Sequence, residues 1–143
     1  WRNAMSSNAL DSQGMTIGRG DAASPEVYTT IPEVKSIDGP GGDATEIDTT
    51  DLSSTSKEFR MGLQDEGSVT LQMNWLPANT VHTGLRTDRA NQTLRSFRIT
   101  FTDSPASTLT FNAYVLGITI SNSVDNVTEA SVNLRVSGTP VWA

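Results

Sequence analysis

The chain contains no cysteine among its 143 residues. Disulfide bonds, thiolate nucleophiles and cysteine-based zinc sites are therefore excluded. Aromatic residues are scarce, at 6% of the chain. No apolar run approaches the ~20 residues that a membrane-spanning helix needs. We therefore expect a protein with no membrane partner, whose stability comes from packing or from assembly.

Histidine is almost absent as well, since His82 is the only one. A histidine base or metal ligand needs a partner, and none is identifiable, so we expect His82 to lie exposed in a loop. Glu46, Asp48 and Asp51 lack the Asp-x-Asp-x-Asp-Gly spacing that arranges oxygen ligands around calcium. The sequence therefore predicts no catalytic residue, no metal site and no cofactor, and we expect a protein that is not an enzyme.

The net charge of −6 is unevenly distributed. Between Gly20 and Glu66 there are 11 acidic residues and three basic ones, a balance of −8. Between Gly84 and Arg98 four arginines face one aspartate, a balance of +3. The two regions are either separate solvated faces or complementary patches through which identical copies attract each other head to tail.

Alternation of apolar and polar residues predicts several half-buried strands. The clearest is "SVTLQMNW", which places Val69, Leu71, Met73 and Trp75 on one face. The same pattern recurs in "SFRITF", "ASVNLRV" and "LTFNAYVLGITI", where a change of phase predicts a bulge near Gly117. Two earlier segments, "EVYTTIPEVKSI" and "ATEIDTTDL", are also predicted strands, the first interrupted at its proline.

Turn signals separate these segments. They are "DGPGGD" at 38–43, "DEG" at 65–67, "TDSPAS" at 102–107 and "SNSVDN" at 121–126. One helix is predicted at about residues 83–95, with Thr83 as its N-cap and an apolar stripe of Leu85, Ala90, Leu94 and Phe97. We therefore expect an all-β fold, a β-sandwich or open barrel with one α-helix and a long inter-strand arm. Residues 16–143 would form a single domain after a flexible N-terminal segment, residues 1–15.

The order of four segments resembles a known family. They are "YTTIPEVKSIDGPGGDATEIDTTDL", "SKEFRMGLQDEGSVTLQMNW", "TGLRTDRANQTLRS" and "FNAYVLGITISNSVDNVTEASVNLRVSG". The first contains a Tyr-x-x-Ile-x-x-Val phrase (Tyr28, Ile31, Val34), and the second a Gly-Leu-x-Asp-x-Gly phrase that begins at Gly62. In this order they resemble the tail tube proteins of long non-contractile-tailed bacteriophages, the lambda-like family, over roughly Thr16 to Gly138.

The resemblance implies a structural virion protein, assembled in the cytoplasm of the host bacterium. Its copies would form homohexameric rings that stack into the phage tail tube. DNA would leave through an acidic lumen without specific binding. Tape-measure and tail-terminator proteins would be the other partners.

The resemblance also suggests roles for individual residues. An arm that reaches a neighbouring subunit would include Asp43, Glu46, Asp48, Asp51, Ser53, Lys57, Phe59 and Arg60. A basic assembly patch would consist of Arg86, Arg89, Arg95 and Arg98. The lumen would be faced by Thr70, Gln72, Asn74, Glu46 and Asp48.

Two alternatives remain open at the level of sequence. The chain could be the inner tube protein of a contractile tail or of a type VI-like secretion device, because these share the ring architecture. It could also be a β-sandwich that binds a surface receptor through its loops or through the Arg-Gly-Asp tripeptide at 19–21.

Overall fold

The computed structural model of the chain describes residues 9–143. Within this range the chain forms one helix, α1 (Thr80–Asn91), and seven strands: β1 (Thr16–Gly20), β2 (Tyr28–Thr30), β3 (Val34–Asp48), β4 (Phe59–Asn74), β5 (Leu94–Thr100), β6 (Thr108–Ser121) and β7 (Glu129–Trp142). The strands form one antiparallel sheet in the order β2-β1-β5-β6-β7-β4-β3. In the described part of the chain, no helix is long and apolar enough to cross a membrane.

Of the predicted flexible segment, residues 1–15, the first eight residues lie outside the described part of the chain. Its last part makes contacts with the rest of the chain. The Thr102 hydroxyl donates a hydrogen bond to the backbone carbonyl of Asp11 at 2.6 Å. Met15 packs against the core.

One face of the sheet is buried, as the alternating segments predict. The inward residues Val69, Leu71 and Met73 of β4 are completely buried, and Trp75, just after the strand, is 5% exposed. The equivalent positions of β5, β6 and β7 complete the core with Phe97, Ile99, Leu109, Phe111, Ala113, Val115, Val132, Leu134 and Val136. Because each strand turns its polar residues outward, the opposite face of the sheet is solvated.

The bulge expected near Gly117 is confirmed. Val115 pairs with Leu134 while Gly117 pairs with Asn133, so Leu116 is the extra residue on β6. Beyond it, Ile118 stands opposite Val132. The bulge therefore explains the change of phase in the sequence.

The sheet curls into an open barrel because its two edge strands follow each other in the chain. Only residues 31–33 separate β2 at one edge from β3 at the other. Such a link spans at most about 14 Å when fully extended. The Ile31 N–H donates to the carbonyl of Ile17 on β1 at 2.8 Å, and the Asn74 N–H of β4 donates to the carbonyl of Glu33 at 2.9 Å. The link thus holds both edges close together.

The predicted helix exists, but its boundaries were wrong. Its N-cap is Asn79, whose side chain accepts hydrogen bonds from the N–H groups of Val81 and His82. It ends before Gln92, which adopts a left-handed conformation with φ of 54°. Leu94 and Phe97, assigned to its apolar stripe, belong to β5. Their spacing of three matches a helix, but Phe97 and Ile99 alternate with polar neighbours and pack as a strand.

Two of the four predicted turns are also wrong. Residues 38–43 lie within β3 and residues 65–67 within β4, and the two segments pair with each other. Gly41 pairs with both Gly67 and Ser68, so this is a bulge in a continuing ladder. Gly67 has φ of +74°, and a side chain there would collide with the carbonyl oxygen of Gly41. The glycines therefore allow the two strands to approach each other closely at the bulge, where a side chain would not fit. The turns at 102–107 and 121–126 do lie in loops, apart from Ser121, the last residue of β6.

Candidate assembly surfaces

The distal half of the β3–β4 hairpin leaves the barrel as a two-stranded ribbon. β4 pairs with β7 only from Ser68 to Asn74, whereas its pairing with β3 continues outward as far as Phe59. We call residues 42–67 the arm. At about 3.3 Å per residue, its strands extend roughly 20–30 Å beyond the last pairing with β7.

The arm exposes large apolar side chains. Phe59 is 53% exposed and Met61 is 68% exposed, and Leu63, Ile47 and Leu52 are exposed as well. Phe59 and Met61 share one face of the ribbon because Arg60 lies between them. Asp48 and Glu46 stand directly opposite these two residues and belong to the same face. This face is therefore both apolar and acidic.

The tip of the arm is a well-bonded loop. The Asp51 carboxylate accepts hydrogen bonds from the backbone N–H and hydroxyl of Ser53 and from the hydroxyl of Ser54. These bonds lower the pKa of Asp51, those from Ser53 most strongly. Hydrogen bonds from Thr50 likewise lower the pKa of Asp48. Both carboxylates therefore remain charged at neutral pH.

All the residues proposed for an inter-subunit arm lie in this ribbon. Asp43, Glu46 and Asp48 are on β3; Asp51, Ser53 and Lys57 are in the tip; Phe59 and Arg60 begin β4. Residues 43–66 hold seven acidic side chains and two basic ones. The exposed Met61 and Leu63 were missed, although the alternation of Phe59, Met61 and Leu63 was visible in the sequence.

The structure does not bring the four arginines of the basic patch together on one surface. Arg86 and Arg89 are exposed on α1. Arg95 shares the inward parity of Phe97 on β5, whereas Arg98 points outward, where its guanidinium lies 4.1 Å from the centre of the Tyr28 ring. Of the predicted basic patch, only Arg86 and Arg89 lie together, on α1. The Arg89 Nε donates to the carbonyl of Leu116 at 3.2 Å.

Arg95 is instead part of a charge cluster that the sequence did not reveal. Asp88 on α1 is 1% exposed and accepts hydrogen bonds from Arg19 at 2.7 and 3.0 Å and from Arg95 at 2.8 Å. Burial by itself raises the pKa of Asp88, but the hydrogen bonds and charges of the two arginines outweigh it and hold the pKa below its usual value. The cluster fastens α1 to β1 and β5.

His82 is buried, and the expectation of an exposed loop histidine was wrong. Its Nδ1 accepts from the N–H of Leu76 at 3.0 Å, and its Nε2 lies 2.9 Å from the carbonyl of Pro32, to which it donates. The ring stacks on Trp75 with 5.0 Å between centroids. His82 therefore ties α1 to two loops, and the Asn79 cap, which the sequence assignment omitted, is what places it in the helix.

The Arg-Gly-Asp tripeptide is not displayed for recognition. Arg19 is committed to Asp88, and Gly20 is buried within β1. The Asp21 carboxylate accepts from the N–H groups of Ala23 and Val27, and these two bonds lower its pKa. The geometry does not support the adhesion hypothesis.

Thr70, Gln72 and Asn74 lie on the outer face of β4, in register with polar residues of β7. Gln72 donates to Ser131 and Thr70 to Asn133, each at 3.2 Å. Towards the barrel edge the same face carries Glu33, which accepts from Asn74, and the exposed Asp38, which stands opposite Thr70. The other two lumen candidates, Glu46 and Asp48, lie apart from this face, on the arm.

Among residues 9–143, no three or more histidine or acidic side chains are grouped so that they could hold a metal ion. Surface pairs such as Asp65 with Arg135 satisfy each other.

Comparison with known proteins identifies what the fold resembles. A family model for phage tail tube proteins of the lambda-like type matches residues 8–143. None of the curated protein sequences compared with the chain matches it.

Solved structures share the fold. The tail of an empty gene transfer agent particle has a TM-score of 0.76 at 14% identity, with 94% of this chain and 99% of that chain covered. The SPP1 tail tube has a TM-score of 0.72 at 14% identity, covering 94% and 78%. The sheath/tube terminator structure of the extracellular contractile injection system PVC has a TM-score of 0.73 at 14% identity, covering 97% and 99%.

Proposed function

The chain belongs to the lambda-like phage tail tube family, and from this premise we propose that its copies form hexameric rings that stack into the tube of a phage tail. It is a structural, non-enzymatic component of the virion tail. The rings, their stacking and the nature of the lumen are the proposal.

The arm is the observation that carries the proposal. A two-stranded ribbon is only marginally stable by itself in water, because it buries little apolar surface. This one also presents Phe59, Met61 and Leu63 to solvent. Exposed apolar side chains on a long projection are typical of a contact surface for another protein. A barrel that needs no arm for its own core can use it to hold a neighbour.

Six-fold symmetry is supported by proteins of the same fold. The gene transfer agent tail was refined with C6 symmetry, and the baseplate of the anti-feeding prophage was symmetrised six-fold. Both share the fold of this chain at TM-scores of 0.76 and 0.70. We extend that ring size to this protein.

We propose that the outer face of β3, β4 and β7 lines the lumen, with Thr70, Gln72 and Asn74 at its centre. A basic lining would bind DNA non-specifically with Kd on the order of 10⁻⁴–10⁻⁶ M. Repeated along many rings, such contacts would act together and retain the DNA. Neutral amides and hydroxyls, with the carboxylates of Glu33 and Asp38 beside them, avoid that attraction, and Arg135 on the same face of β7 is paired with Asp65.

The remaining parts of the proposal follow from the role. Residues 16–143 act as one domain, and the ring at the end of the tube meets a terminator protein. A tape-measure protein occupies the lumen before DNA does. Each of these partners would contact surfaces that the rings leave free.

Electron microscopy of the concentrated protein tests the proposal. We expect rings with six subunits and tubes with a continuous central channel. Sedimentation should show a change from monomer to large assemblies as the concentration rises. A chain that remains monomeric at high concentration, with no rings in negative stain, would contradict the proposed function.

A further inference from the structure

We propose that the arm of one copy docks into a groove between the end of α1 and the bulge of β6 on a neighbouring copy. The inference rests on the proposed function, because it names the surface that receives the arm. The groove is lined by Arg89, Ala90, Gln92, Tyr114, Val115 and Leu116 and has a volume of 680 Å³.

The bulge of β6 shapes the floor of the groove. As the unpaired extra residue, Leu116 is 58% exposed, and Tyr114 beside it is 38% exposed. The Arg89 side chain crosses from α1 to the carbonyl of Leu116 and forms one wall. An apolar floor with a cationic wall would receive a ligand that is apolar and acidic.

The cationic wall is not neutralised within its own copy. Arg86 lies one turn before Arg89, on the same side of α1. Among residues 9–143, neither of these arginines forms an ion pair, although Arg19, Lys35, Arg95 and Arg135 do. The carboxylate of Asp88 between them is buried and committed to Arg19 and Arg95.

The arm has the complementary chemistry on a single face. Phe59 and Met61 supply apolar side chains, and the flexible thioether of methionine adapts to an irregular surface. Glu46 and Asp48 stand opposite them in the ribbon. Their carboxylates supply the negative charges with which Arg86 and Arg89 can form ion pairs. One face of the arm is thus complementary both to the apolar floor and to the cationic wall of the groove.

The occupant is a second copy, since the arm does not reach the groove of its own chain. Phe59 and Met61 on the arm are exposed, and so are Tyr114 and Leu116 in the groove. If the two surfaces covered each other within one copy, these side chains would be buried. The inference also assigns Glu46 and Asp48 to the contact between subunits and leaves the lumen to the outer face of β3, β4 and β7.

Disulfide cross-linking tests the contact directly, because the native chain has no cysteine. Met61→Cys and Leu116→Cys are combined in one chain, and the variant is assembled and then oxidised. We expect a ladder of covalent oligomers on a non-reducing gel. Each single variant should give no ladder. The matched control pairs Met61→Cys with Val124→Cys, since Val124 is 90% exposed but lies in the β6–β7 loop away from the groove.

The outcomes separate the two levels of the proposal. Native protein that forms no rings or tubes would overturn the proposed function, and the inference with it. Tubes that form normally while the Met61–Leu116 pair gives no ladder, or no more than the Val124 control, would overturn the groove inference alone.

Charge reversal provides a second test with its own rescue. Arg86→Glu with Arg89→Glu should raise the concentration needed for assembly at least tenfold at low salt, and so should Glu46→Lys with Asp48→Lys. All four changes together should restore assembly, because the attraction is rebuilt with opposite signs. Arg98→Glu, on the outer face of β5, serves as the control. Circular dichroism confirms that each variant is folded, and a quadruple variant no better than the double variants would contradict the contact.

Discussion

The two halves of β4 carry the same sequence pattern but differ in burial. In the barrel half, Val69, Leu71 and Met73 alternate with polar residues and are completely buried. In the arm half, Phe59, Met61 and Leu63 alternate in the same phase and are exposed. Alternation therefore indicates that a strand has a surface to cover, and the fold determines whether the same chain covers it. The uncovered half is the part for which we propose a partner.

The comparison also separates stability from assembly. The barrel body has β7, β6 and α1 packed over a common core, whereas the arm contacts β7 through the surface ion pair of Asp65 with Arg135 and leaves Phe59, Met61 and Leu63 exposed. Substitutions in the body should therefore act on the free energy of unfolding of the monomer. Substitutions in the arm should act on assembly and leave the monomer almost unchanged.

The largest effect on monomer stability is expected for Phe97→Ala. Phe97 is fully buried and stacks on Phe111 with 5.9 Å between ring centroids. Removing a buried phenylalanine side chain costs about 3–5 kcal/mol, because contacts are lost and a cavity remains. Denaturant unfolding of the monomer, followed by circular dichroism, measures the change. Phe59→Ala in the arm is the matched control, and an equal loss in both variants would contradict the division into body and arm.

A somewhat smaller effect is expected for His82→Phe. The phenyl ring keeps the stacking on Trp75 but leaves the N–H of Leu76 and the carbonyl of Pro32 without their partner. An unsatisfied buried polar group costs about 1–3 kcal/mol, and we expect about 2–4 kcal/mol for both. Urea unfolding gives the number. A variant as stable as the native protein would show that water replaces the imidazole.

Asp88→Asn should cost about 1–2 kcal/mol at pH 7. Loss of a fully buried ion pair costs about 3–5 kcal/mol, but both arginines here keep contact with solvent, so the effect is smaller.

The cost should also depend on pH in a definite direction. The folded-state pKa of Asp88 lies below its unfolded value of about 3.9, so its stabilising contribution is complete above that value. The contribution is lost as the pH falls through the folded-state pKa. The difference in unfolding free energy between native and Asp88→Asn should therefore shrink from pH 6 towards pH 2. A difference independent of pH would contradict an ionised Asp88.

The smallest effect on the monomer is expected in the arm. Phe59→Ser with Met61→Ser should change the free energy of unfolding by less than about 0.5 kcal/mol, because both side chains are already exposed. Assembly should nevertheless fail at concentrations at which the native protein forms tubes, as measured by sedimentation. Val124→Ser is the control for an exposed apolar residue outside the arm. Normal assembly of the double variant would remove this face from the contact.

Much of the fold was predictable because it depends on local patterns. The inward residues of β4, β6 and β7, the bulge at Gly117 and the existence of one helix all follow from periodicity and from the phase of the apolar residues. The boundaries of the helix were less predictable, since Leu94 and Phe97 suit a helical stripe as well as a strand. The glycines at 39, 41 and 42 suggested a turn because the sequence does not show that Gly67 lies beside them.

The candidate site was predictable in part for the same reason. The acidity of the arm and its position between two strands are properties of consecutive residues. The separation of Arg95 from Arg86 and Arg89 was not predictable from the sequence. It depends on contacts with Asp88 and Arg19, which lie 69 residues apart in the chain. The role of His82 depends likewise on a carbonyl 50 residues away.

The sequence by itself determined which residues of each strand share a face, that no cysteine chemistry operates, and where acidic and basic residues concentrate, because these depend only on residue identity and spacing. The tertiary structure decided which of those faces are buried and which arginines lie together. It also decided that the arm projects from the barrel with its apolar side chains exposed. Burial and charge pairing depend on contacts between residues far apart in the chain. The pairing of β1 with β5 and the position of α1 beside them bring Arg19, Arg95 and Asp88 together.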